Sequence, residues 1–173
     1  ARACFYTGLY PHKNGVSANG LTINDGVMGI NQYLDAAGYR SGYAGKWHVD
    51  QNRGPSELGF TGKDFMGYGF PGGNLLPGLQ FGLGPLKGPN HYGTYLNENG
   101  FDIPTVSHRY VGTNPTNQAQ EMFALHEGPV ESAIEYFVAD EAIRVMHEMN
   151  KTDDPFFVWA NFWGPHTPCL IPE

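Results

Sequence analysis

The stretch PFFVWANFWG, residues 155–164, constrains the fold more than any other part of the chain. An unbroken apolar run of this length, set between Pro155 and Gly164, reads as a strand buried on both faces of a parallel sheet. A buried helix is the competing reading, and the flanking proline and glycine and the aromatic content favour the strand. The segment before it, DEAIRVMHEM (140–149), has helical spacing, with Asp140 as cap and Ala142, Ile143, Met146 and Met149 facing inward. KTDD (151–154) makes the turn between them. A second helix-to-strand passage lies upstream. NDGVMGINQYLDAAG (24–38) predicts a helix with Val27, Ile30, Leu34 and Ala37 on one face. Asn24 or Asp25 can cap it, and Gly38 can take the left-handed position after its end. YRSGYAGK (39–46) predicts a short strand, weakened by its glycines. Residues 2–9 predict another short helix, stopped by Gly8 and Pro11. Helix, glycine and strand in that order place the chain in the α/β class.

Between Gly54 and about Tyr110 the periodicity dissolves. Twenty-four glycines and thirteen prolines in the 173 residues imply long, shaped loops, and GYGFPGGNLLPGLQFGLGPLKGP (67–89) concentrates them. Its Phe, Leu and Tyr content is too high for a flexible linker, so it reads as an ordered excursion. Shaping a pocket wall and merely packing on the domain are both open for it. The formal net charge of −7 argues against broad binding to nucleic acid or anionic lipid. An anionic ligand would have to be drawn in by local cations. No apolar run approaches the ~20 residues of a membrane helix. Cys4 and Cys169 are too few for a disulfide framework and read as two buried free thiols.

Three places offer cations to one oxyanion. In GPHTP (164–168), prolines stiffen both sides of His166 at the carboxyl end of the predicted strand, the edge where open α/β sheets bind ligands. In GKWH (45–48), an extended backbone would send Lys46 and His48 to the same side and Trp47 into the core. Arg2 stands at the start of a helix and adds a forked donor. Taken singly, each residue has a bland reading: a loop-bonded histidine, a surface lysine beside a packed tryptophan, an exposed first-turn arginine. Two histidine-bearing turns at the same sheet edge shift the balance toward a site. His12, His91, His108 and His126 read as loop residues and His147 as helical, none at metal-ligand spacing with another. Asp153-Asp154 reads as a turn pair.

RACFYTGLYPHKNGV (2–16), GYRSGYAGKWHVD (38–50) and PFFVWANFWGPHTP (155–168) together resemble, in order and at family-like spacing, blocks of the type I sulfatases of the alkaline phosphatase-like superfamily. The resemblance implies a three-layer α/β domain with a mostly parallel sheet. Residues 1–173 would be an internal portion of one such catalytic domain, incomplete at both ends, with the Gly/Pro-rich excursion around 54–110. Ala1-Arg2 matches the last two positions of the family signature Cys (or Ser)-x-Pro-x-Arg. The signature cysteine, oxidised to formylglycine, would lie upstream of Ala1. Cys4 cannot replace it, because Tyr6 and Gly8 stand where Pro and Arg are needed. The resemblance implies that Arg2 holds the formylglycine hydrate and Lys46 binds a sulfate oxygen. His48 would take a proton from the hydrate, and His166 would contact sulfate and protonate the leaving alcohol. The divalent cation, calcium in most of the family, would have its ligands outside these residues. Asp50 departs from the glycine common in the family after the GKWHL motif.

The implied function is hydrolysis of a sulfate ester, with a sulfated carbohydrate as the preferred substrate. The missing flanking segments of the same domain would be its partners, and a periplasmic or secreted location fits the family. A phosphonate monoester or phosphodiester hydrolase of the same superfamily is the second reading, and a non-catalytic remnant that binds an oxyanion is the third. Open sheet edges are expected to make the isolated chain poorly soluble and inactive.

Overall fold

The computed structural model describes residues 1–65, 91–102, 104–113, 119–166 and 169–172. The excursion 67–89, and the prediction for Thr167, lie outside the described residues. The chain divides into two units, residues 1–67 with 139–161, and residues 68–138 with 162–173.

The first unit carries a parallel sheet in the order β2-β1-β5, built from β1 (Arg40–Lys46), β2 (Thr61–Phe65) and β5 (Phe156–Asn161). β1 and β5 coincide with the two strands read from sequence, and their register pairs Arg40 with Phe156 and Gly45 with Asn161. β5 is not buried on both faces as expected: Phe156 and Ala160 are exposed and Phe157, Val158 and Trp159 only half-buried. Among the described residues it pairs with β1 alone. The apolar run identified the strand but not its number of neighbours. β2 was invisible to periodicity because Thr61-Gly-Lys-Asp-Phe65 is mostly polar. Gly62 (φ 132°) lies so close to β1 that a Cβ there would sit 2.0 Å from the Tyr43 carbonyl oxygen, which only glycine tolerates.

The helices α1 (Arg2–Thr7), α2 (Pro11–Asn14) and α3 (Ile30–Ala36) belong to the same unit. α1 ends at Gly8 in the left-handed conformation, as its sequence predicts. α3 begins five residues later than expected. Neither Asn24 nor Asp25 caps it; Gly29 does, its N–H donating to Gln32 Oε1 at 2.9 Å. Gly29 lies against the Tyr6 ring, where any Cβ would collide at 1.8 Å. Val27 therefore falls outside the helix and Ala37 is exposed, although Gly38 does adopt φ 87°. The fully buried α3 residue is Asn31, which accepts from the Tyr6 hydroxyl (2.8 Å) and donates to the Leu58 carbonyl (2.7 Å). Burial raises the Tyr6 hydroxyl to about 12, so it stays a donor. Tyr6, Tyr43, Trp47 and Phe60, with Ala3, Ile23 and Val49, make the core. Its rings meet edge-on, Tyr43 and Trp47 at 5.2 Å and Tyr6 and Trp47 at 5.5 Å.

α5 (Ile134–Met149) begins in the second unit and ends in the first. Asp140 lies inside it rather than capping it. The inward face is Ala142, Val145 and Met149, with Val138 and Glu141; Ile143 and Met146 are exposed. Val145 and Met149 occupy the space left by Gly42 of β1, where a Cβ would meet them at 2.5 and 3.0 Å. The helical period was right, but that sheet glycine chose the face. Arg40 Nη1 donates to the Met149 carbonyl at 3.1 Å, tying the start of β1 to the helix end.

The second unit holds α4 (His91–Glu98) and a second sheet. There β3 (Thr105–Thr113) runs antiparallel to β4 (Ala119–Glu127), and β4 runs parallel to β6 (Cys169–Pro172). The described part of the excursion is thus ordered, with elements where periodicity showed none. A bulge between Ser107 and Tyr110 interrupts the alternation of β3. Tyr92 and Tyr95 of α4 pack on Phe137 at 5.7 and 5.2 Å. Cys4 and Cys169 are free, and each is half-buried rather than fully buried.

Candidate active site

β1 ends on Lys46 at the carboxyl edge of the parallel sheet. The Lys46 side chain is 2% exposed. Burial and the neighbouring Arg2 charge push its ammonium down to about 8. Arg2, from the first turn of α1, donates from Nη1 to the Lys46 carbonyl at 3.2 Å. The same carbonyl accepts the Tyr43 hydroxyl, which in turn accepts from Asn161 Nδ2 at 2.6 Å. Asn161 is the last residue of β5 and pairs with Gly45. Two of the expected cations, Arg2 and Lys46, are therefore brought together by the ends of three elements.

Trp47 turns into the core as expected and is fully buried, its Nε1–H donating to the Arg53 carbonyl at 2.7 Å. The alternation expected to carry on to His48 fails. β1 stops at Lys46, and His48 is half-buried with a left-handed φ of 49°. An extended backbone was the premise of that expectation, and the chain turns here instead.

Asp50 explains the turn. It is 2% exposed and accepts from Ile23 N (2.9 Å), Asn52 N (2.8 Å) and Arg53 N (3.0 Å). Arg53 adds its Nε at 3.1 Å and its Nη2 at 2.8 Å, and the same Nη2 donates to the Ile23 carbonyl at 2.6 Å. This buried pair closes the loop after Trp47 on itself and onto the chain around Ile23. Both Asp50 oxygens are committed to these donors, so Asp50 does not suit a divalent cation. Among the described residues no group of three or more His, Cys, Asp or Glu is placed to hold a metal. The described residues do not fit that ion.

His166 belongs to the second unit. Its N–H bonds the Trp163 carbonyl at 3.2 Å, closing a turn, and its exposed ring lies 4.8 Å from that of buried Trp163. Gly164 N–H donates to the Glu135 carboxylate, and burial raises the Glu135 carboxyl. His147 lies in α5 as its sequence reading has it, and the four histidines read as loop residues do not lie in loops. His12 lies in α2, His91 opens α4, and His108 and His126 lie in β3 and β4. His126 is buried, with Nε2 3.0 Å from Ser132 Oγ, and burial lowers its pKa. Ser132 Oγ donates to the Pro129 carbonyl at 2.7 Å, so this buried pair locks a turn. The sequence reading missed Tyr43 and Asn161. Their signals were faint: a tyrosine three residues before the lysine, and the one amide closing an apolar run.

The sequence profile of the family "Sulfatase" matches residues 1–172. The chain belongs to the sulfatase family. It is 22% identical over 185 aligned residues to the uncharacterized sulfatase YidJ of Escherichia coli (strain K12), covering 99% of this chain and 29% of that protein. Against the N-acetylglucosamine-6-O-sulfatase of Bacteroides thetaiotaomicron it is 39% identical over 49 residues, 28% of this chain and 9% of that one. The crystal structure of Ps i-CgsB superposes with a TM-score of 0.56 at 21% identity, over 96% of this chain and 34% of that chain. The α/β fold is thus shared with that solved structure, and the chain spans under a third of the curated relatives it matches. Among the described residues no helix is long and apolar enough to cross a membrane.

Proposed function

We propose that these residues form part of the site of a hydrolase that cleaves a sulfate ester of a sulfated carbohydrate. The observation that carries the reading is the buried Lys46 ammonium beside the Arg2 guanidinium at a parallel sheet's carboxyl edge. Two positive charges held close together in a poorly solvated place favour an anionic ligand. A tetrahedral oxyanion placed between them is attracted by both. Sulfuryl transfer needs oxygen charge stabilised and protons exchanged. Lys46 and Arg2 serve the first need. His48 takes a proton on the nucleophile side, and His166 gives one to the departing alcohol oxygen, histidine being suited to both near neutral pH.

In this proposal residues 1–173 belong to one catalytic domain. The nucleophile is a formylglycine upstream of Ala1, and a divalent cation, calcium by family resemblance, is held by residues outside this chain. Flanking segments complete the site, and the protein works in the periplasm or outside the cell. The carbohydrate substrate is supported by the relative named for N-acetylglucosamine-6-O-sulfate chemistry.

The test uses the protein expressed from its intact gene, assayed with 4-nitrophenyl sulfate, 6-sulfated N-acetylglucosamine and an aryl phosphonate monoester. The expected result is sulfate release, reduced about 10²–10³-fold in kcat by Lys46→Ala. Faster phosphonate turnover would replace sulfate by phosphonate in the assignment. No turnover of any ester would leave only an oxyanion binder.

A further inference from the structure

The Lys46 carbonyl is the meeting point of three segments. Arg2 Nη1 reaches it at 3.2 Å from the first turn of α1, and the Tyr43 hydroxyl reaches it from within β1. Asn161, at the end of β5, donates to that hydroxyl at 2.6 Å. The donor directions are fixed by chemistry. A phenol has one proton, and here it goes to the carbonyl, leaving the oxygen to accept from the amide. Tyr43 is 1% exposed, and its burial raises the phenol's pKa, so the proton stays on. The carbonyl then uses both lone pairs, one for the phenol and one for the guanidinium.

We propose that Tyr43 and Asn161 are positioning residues: the chain Asn161 Nδ2–H to Tyr43 O–H to Lys46 carbonyl fixes the carbonyl that holds the Arg2 guanidinium beside the Lys46 ammonium. The proposal rests on the sulfatase reading for its effect on turnover, but not for its effect on Lys46. With the carbonyl fixed, Arg2 has one seat, and both cations present to an oxyanion in a set geometry. Freed from the phenol, the carbonyl can tilt and the guanidinium can leave. Lys46 then loses a positive neighbour and its pKa rises. The other charge acting on Tyr43 is the Asp64 carboxylate, which stays in place in these variants.

The experiment compares wild type, Tyr43→Phe, Asn161→Ala and Asn161→Gln in the protein expressed from its intact gene, each checked for cooperative unfolding. It reads kcat and KM for 4-nitrophenyl sulfate against pH, and the titration of Lys46 by competitive acetylation and mass spectrometry. Tyr43→Phe is expected to lower kcat about 10- to 100-fold with KM within about twofold. The Lys46 titration, and with it the alkaline limb of the rate profile, should move upward. Asn161→Ala should move both readouts the same way by less, and Asn161→Gln, which keeps an amide donor, should restore part of each. A folded Tyr43→Phe protein with wild-type kcat and wild-type Lys46 titration overturns the proposal. Should Tyr43→Phe not fold, the Asn161 pair decides: unchanged readouts in Asn161→Ala overturn it. If the wild type hydrolyses no sulfate ester, the functional reading fails, and the Lys46 titration alone decides the positioning claim.

Discussion

The turns that follow β1 and β5 each carry a histidine, and they are secured differently. After β1, the loop through His48 is closed by Asp50, a buried carboxylate with three backbone donors and a two-pronged arginine. Trp47 anchors the same loop in the aromatic core. After β5, the contacts at the turn of His166 include its N–H bond to the Trp163 carbonyl, a ring contact with Trp163, the Gly164 N–H bond to Glu135 and the Cys169 Sγ bonds to the Pro165 and His166 carbonyls, and His166 itself is exposed. The difference is one of desolvation. A carboxyl group that is buried and surrounded by donors fixes a backbone strongly. A half-buried carboxyl whose pKa is raised has given up part of its hydration on folding. The first turn is built to hold a strained φ, and the second to present a side chain to solvent.

Breaking the first turn should cost most. Trp47→Ala is expected to destabilise the protein by about 3–5 kcal/mol, read from the urea midpoint. Asp50→Ala should cost about 3 kcal/mol, since it leaves Arg53 and three N–H groups without their acceptor. An Asp50→Ala protein as stable as wild type would remove the clasp from the account. A pH titration of stability sharpens the comparison. Lys46 has a folded pKa of about 8, below its unfolded value of 10.5, so between those values the unfolded chain binds more protons. The stability of wild type relative to Lys46→Met should therefore rise from pH 8 toward pH 10, by a few kcal/mol at most. Below pH 8 the penalty of the buried charge is fully present.

The second turn should yield smaller effects on stability. The folded pKa of Glu135 lies above its unfolded value, so its contribution is lost as pH rises through the folded pKa. Glu135→Gln keeps an acceptor for Gly164 N–H and is expected to leave stability at pH 7 unchanged or up by less than about 1 kcal/mol. His166→Asn should change stability by no more than about 0.5 kcal/mol, because the ring is exposed, while lowering kcat about 10²-fold or more. A large loss of stability in His166→Asn would place it with the structural residues.

Much of the first unit was legible because its signals are local. Gly8 and Gly38 ended their helices, and 39–46 and 155–164 read as strands, with the second ending at Asn161 in the structure. Strand alternation placed Trp47 in the core, where the structure has it. The errors have a common origin. The period of α5 places Ala142 and Met149 in the core, as found, but Ile143 and Met146 are exposed and Val145 is buried instead, because Gly42, more than a hundred residues away, leaves room there. β2 has no apolar pattern because its backbone, rather than its side chains, meets β1. Asp50 was noticed as a departure from the family pattern, but its partner Ile23 lies in a different segment.

The sequence by itself determined the α/β class, the two parallel strands, the family and the identity of the basic residues, since each depends on spacing or on residue type. Tertiary structure alone decided which helix face is buried, that β5 is only partly covered, that the chain turns at His48, and that Tyr43 and Asn161 stand behind Lys46. Those outcomes depend on which distant groups share a small volume, and contact across a fold leaves no period along the chain.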